Sequence, residues 1–92
     1  MAHGFSFFLT VESNEQTGEV VAAYIRIREG ESATVKEYAA GNLFADYDKR
    51  GRLLGMELLG PCKASVLSRI ADQPSAKRFV RDAVPSAMLA KA

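Results

Sequence analysis

One cysteine, one histidine and no tryptophan stand in a chain of 92 residues, and each scarcity removes a class of chemistry. Cys62 alone cannot close an internal disulfide, so nothing points to an oxidising compartment. One His and one Cys, far apart, leave no Cys/His nucleophile pair and no tetrahedral zinc site. His3 sits at the terminus and is read as solvated. The glycines never adopt the spacing of a phosphate-binding loop. No apolar run approaches the roughly 20 residues needed to cross a bilayer. The opening MAHGFSFFLTV lacks a basic n-region and is broken by Ser6 and Thr10, so it reads as a strand rather than a signal peptide. The expectation is a cytoplasmic, non-enzymatic protein with no cofactor and no membrane partner.

What is present describes one small folded domain over residues 1–92. Hydrophobic residues at 48% and charged residues at 25% match an ordinary globular protein and argue against disorder. A chain of this length buries roughly 60–65% of its unfolded surface, a thin core that makes association with another chain plausible. The net charge of +1 conceals a division. Residues 1–62 hold six Lys/Arg against nine Asp/Glu, a net of −3, whereas residues 63–92 hold six against two, a net of +4. The chain is an acidic body with a basic tail.

Phe5, Phe7, Leu9 and Val11 alternate with Ser6, Phe8, Thr10 and Glu12, the period of a strand with one buried face. After the polar SNEQTGE, VVAAYIRIR (20–28) sets Ala23, Ile25 and Ile27 on one side and Tyr24, Arg26 and Arg28 on the other. EGES is a turn, and ATVKEYA (33–39) another short strand in which Val35 alternates with Thr34 and Lys36. The fold class expected is α+β: a small antiparallel meander of four to five strands over 1–59, followed by two or three short C-terminal helices over 60–92. The helices would cover one face of the sheet or dock on a partner. In GPCKASVLSRIAD, Pro61 is read near a helix start with Val66, Leu67 and Ile70 on one face. In PSAKRFVRDAV, Pro74 opens a helix whose Ala76, Phe79, Val80 and Ala83 face inward, opposite Lys77, Arg78 and Arg81. Pro85 ends it.

The stretch FADYDKRGRLLGMEL (44–58) admits two readings. Asp46, Asp48, Gly51 and Glu57 fall at positions 1, 3, 6 and 12 of a calcium loop. Position 5, however, is Arg50, a cation aimed at the metal, and neither flank looks helical. The hairpin reading explains more: Asp48 accepts turn hydrogen bonds, and Gly51 supplies positive φ. Leu54, Met56 and Leu58 then share one face of the outgoing strand, and Leu53, Gly55 and Glu57 the other. Gly55 would admit a close neighbour.

DYDKRGRLLGMELL is similar to the signature of the domain-of-unknown-function 2283 family of short prokaryotic proteins, carried here by Asp46, Asp48, Gly51, Leu54, Gly55, Met56, Glu57 and Leu58. Ala23, Tyr24 and Ile25 resemble the family's other landmark strand. The resemblance covers roughly residues 5–66; VESNEQTGEVV stands where the family carries a Tyr-Asp pair and a further Asp. It implies a small antiparallel sheet without an established activity. Neighbouring toxin-like genes in relatives imply an antitoxin-like binding role.

Glu57, a carboxylate inside an apolar strand, needs exposure, a cation such as Arg26, Arg28 or Arg52, or a partner. Cys62 is read as a small buried hydrophobe, against a thiol of lowered pKa at a helix start. Three functions follow. The first is a protein–protein interaction module, self-associating as a homodimer or binding another protein, with Glu57, Lys77, Arg78 and Arg81 facing the partner. The second is nucleic-acid binding by the basic helix, with stacking aromatics missing from it. The third is a small-ligand or metal site around Asp46, Asp48 and Glu57.

Overall fold

The computed structural model describes residues 5–90; His3, named above, and Lys91, one of the basic residues counted in the tail, lie outside them. Five strands form one antiparallel sheet: β1 (Phe5–Ser13), β2 (Val20–Arg28), β3 (Thr34–Tyr38), β4 (Leu43–Tyr47) and β5 (Leu53–Leu58). Two helices follow, α1 (Ala64–Ile70) and α2 (Pro74–Ala83), and then a 3₁₀ turn at Ser86–Met88. The fold is α+β.

The strand order is β1-β2-β5-β4-β3. The sequential order of a meander holds within β1–β2 and within β3–β4–β5. The connection after Arg28, however, carries the chain to the far edge, so β5 rather than β3 lies beside β2. This places β2 and β5 inside the sheet, where both edges of each strand are paired.

Cross-strand register defines the two faces. Ala23 lies opposite Leu58 and Ile25 opposite Met56, while Leu43 and Ala45 flank the same two residues from β4. All six are buried, and they join Leu67, Ile70, Ala71, Ala76, Val80, Val84 and Met88 of the C-terminal segment in one core. The helical tail therefore covers one face of the sheet. Phe79 of α2 stacks on Phe7 of β1 with ring centroids 4.9 Å apart, a contact worth about 1 kcal/mol beyond its area.

Three local features depart from the simple alternation. The β4–β5 ladder slips between Asp46 and Tyr47, so that Tyr47 faces Leu53. Leu53 accordingly joins the core, and the bulged Leu54 is buried against Gly30 instead. Such an extra residue re-aims side chains that strict alternation would send the other way. In β3, Thr34, Lys36 and Tyr38 share the inner side, leaving Val35 outward and 59% exposed. Finally, α1 begins at Ala64, beyond Pro61. Cys62 is held in extended backbone, donating its N–H to the Met88 carbonyl and accepting from Ala90 N–H, both at 2.9 Å. Pro74 opens α2, and Val84, just before Pro85, is already extended.

Candidate functional site: the open face of the sheet

The face opposite the helices is built from the other residues of the same strands. Register sets one row across all five strands: Thr10, Tyr24, Glu57, Phe44 and Glu37. A second row runs Phe8, Arg26, Gly55, Asp46 and Val35. Glu57 is exposed, and its cross-strand neighbours are the half-buried rings of Tyr24 and Phe44. Among the described residues it forms no salt bridge.

The three cations that could have reached Glu57 are occupied elsewhere. The Arg26 guanidinium pairs with Glu29 at 3.1 Å and lies over the rings of Phe8 and Tyr24, 5.6 and 5.7 Å from their centroids. Its Nε is buried without a hydrogen-bond partner. Arg28, a buried charged residue, stacks on Phe5 at 5.0 Å. Arg52 pairs with Asp48 at 2.9 Å.

Gly55 lets the aromatic ring settle onto the sheet. A Cβ there would collide with the Tyr24 hydroxyl and sit 2.7 Å from the Ile25 carbonyl oxygen. The ring of Tyr24 thus lies across the glycine of the next strand, an arrangement any side chain at position 55 would displace. The face holds Glu12, Glu37, Asp46 and Glu57 against Arg26 and the buried Arg28 at its end, so its field is negative. A shallow hollow of about 110 Å³ between β1, β2 and β5 is lined by Thr10, Glu12, Ala22, Tyr24 and Glu57.

The carboxylates of the calcium-like stretch do not converge. Asp48 caps the β4–β5 turn: its Oδ1 accepts the N–H groups of Arg50 and Arg52, each at 2.9 Å, and Gly51 N–H donates to the Asp48 carbonyl at 3.0 Å with φ at +80°. These bonds, the Arg52 N–H first, hold the Asp48 carboxyl below its ordinary value of 3.8. Asp46 accepts from the Ser32 hydroxyl. No group of three or more metal-ligating side chains exists among the described residues.

The basic residues of α2 lie on its exposed side. Lys77 donates to the Ser68 carbonyl at the end of α1, tying the helices together, and Arg81 meets Asp82 at 3.2 Å. Arg78 has no ion pair among the described residues. Cys62 is buried, and that burial raises its thiol pKa, the opposite of an activated nucleophile. Tyr47, which sequence reasoning did not single out, shares a hydrogen bond of 3.3 Å with Tyr38. Burial first, and that bond second, raise its phenol well above 10.0. Only the pairing of β3 with β4 brings the two rings together, so no local sequence signal could have found them.

Geometry thus defines a small α+β domain whose antiparallel sheet is covered on one face and open on the other. Residues 18–60 match the family model described as Protein of unknown function (DUF2283), and over that stretch the chain resembles the family. The match spans β2 to β5, including Tyr24, Arg26, Phe44, Gly55 and Glu57 of the open face. It leaves β1 and the helices outside, a narrower span than the signature residues alone implied. No curated protein and no solved structure matches the chain. No helix among the described residues is long and apolar enough to cross a membrane.

Proposed function

We propose that the protein is a non-enzymatic protein–protein interaction module and that the open face of the sheet is its binding surface. The observation carrying this reading is Glu57: an exposed carboxylate without a cation among the described residues, flanked by half-buried Tyr24 and Phe44. Aromatic side chains around an unpaired charge suit an interface core, where rings contribute area and a charge selects the partner. Because this face is acidic, the partner it fits is a protein with basic and apolar groups on one surface. An antitoxin-like role, in which the partner is a small protein held inactive, is consistent with this chemistry.

Nucleic-acid binding by α2 has less support. Lys77 and Arg81 already have partners within the chain, and no aromatic lies on the exposed side of α2 to stack bases. Pull-down from the producing cell separates the two readings. Phe44→Ser with Glu57→Arg should abolish capture of the protein partner, whereas Arg78→Glu with Arg81→Glu should retain it. Loss with the helix pair and retention with the sheet pair would overturn the assignment to the open face.

A further inference from the structure

The two edges of the sheet meet solvent differently. β3 has five residues and carries Lys36 and Glu37 in its second half, features that keep a strand edge from pairing. β1 has nine residues and bears no charge from Phe5 to Val11; only Glu12 follows. Phe5, Phe8 and Val11 of β1 are 36%, 43% and 44% exposed. Among the described residues nothing pairs with the outer edge of β1. Its ladder with β2 is regular from Phe8 to Glu12 and irregular between Phe5 and Phe8 and between Glu12 and Ser13, so backbone N–H and C=O groups face outward in regular order along about 17 Å.

We propose that this edge takes β1 of a second copy, antiparallel, about a two-fold axis through Leu9 and perpendicular to the sheet. Leu9 is the midpoint of β1, so this register lets the two strands overlap along their length, with residues 8–10 in the regular part of the ladder. It sets Phe7 against Val11 of the second copy, Phe8 against Thr10 and Ser6 against Glu12. Apolar residues meet apolar ones on the core side, and the one charge meets a neutral hydroxyl, with no like charges opposed. An isologous contact of this kind closes after two copies. Because the axis is perpendicular to the sheet, both helical layers fall on one side. The two open faces then join on the other through Phe8 and Thr10. The proposal concerns the edge and stands whether or not the open face binds a partner.

Sedimentation of the full chain tests it. A dimer is expected at about 100 µM, dissociating on dilution as a small interface does. The amides of β1 should exchange with deuterium more slowly in concentrated than in dilute protein. Val11→Lys, folded by circular dichroism, should weaken the dimer about 100-fold by burying a cation against Phe7 of the second copy. Val35→Lys, near the other edge, should leave it unchanged. Should Val11→Lys not fold, the concentration dependence of β1 exchange in the unaltered chain decides. A monomer at every concentration, a dimer indifferent to Val11→Lys, or protection confined to β3 or the helices would overturn the proposal. Phe44→Ser with Glu57→Arg should abolish partner capture while leaving the dimer intact, so the edge and the face can fail separately.

Discussion

Met56 and Leu58 of β5 are fully buried beneath the helical tail, while Glu57 between them is exposed on the opposite face. One strand thus serves two environments, and under the proposed binding role the difference separates stability from recognition. The covered face is apolar and continuous across β2, β5 and β4. The open face alternates rings with carboxylates and leaves Glu57 without a cation among the described residues, a composition that contributes little to folding and, on the proposed reading, selects the partner.

Substitutions at adjacent positions should expose this contrast most strongly. Leu58→Ala is expected to cost about 3 kcal/mol in urea unfolding, because Leu43, Ala23 and the helices cannot close the cavity. Glu57→Ala should change stability by less than about 0.5 kcal/mol. Equal effects would erase the distinction between the faces.

Gly55→Ala comes next. The new Cβ would meet both the Tyr24 hydroxyl and the Ile25 carbonyl, and the backbone oxygen cannot swing aside, so a loss of about 2 kcal/mol is expected. Its tyrosine fluorescence should also change as Tyr24 is lifted from the sheet.

Asp48 supplies a pH test. Its carboxyl is held below 3.8 by the turn N–H groups, so the folded state favours the charged form. The resulting stability is present above the ordinary carboxylate value and is lost as pH falls through the lowered one. Asp48→Asn should flatten the thermal-melting profile on that acid limb and leave its shape above pH 5 unchanged.

The smallest effect is expected at the β3–β4 connection. Ala40 sits at φ 54°, ψ 39°, a left-handed conformation that glycine adopts without the Cβ penalty. Ala40→Gly should therefore gain about 0.5–1 kcal/mol in the same urea titration.

How much of this was legible in the sequence depended on whether local pattern or long-range register decided it. The alternation of Ala23, Ile25 and Ile27 marked the inner face of β2, and Asp48 with Gly51 marked the turn, because both signals are local. Strict alternation sends Leu53 to the outer face because a bulge is invisible to it; the slip between Asp46 and Tyr47 turns Leu53 inward. The neighbours of β2 could not be read at all, since period two says which way a side chain points and not which strand lies beside it. Of the alternatives open to Glu57, exposure is the one observed, and the cations are held elsewhere for a local reason. Arg52 is drawn to Asp48 within its own turn, and Arg26 to Glu29 three residues on.

The most direct measurement of the central claim is hydroxyl-radical footprinting of the full chain, free and bound to the partner it captures. Protection of Tyr24 and Phe44 on the open face, with the exposed side of α2 unchanged, is the predicted result. Protection along α2 with Tyr24 and Phe44 equally reactive in both states would contradict it.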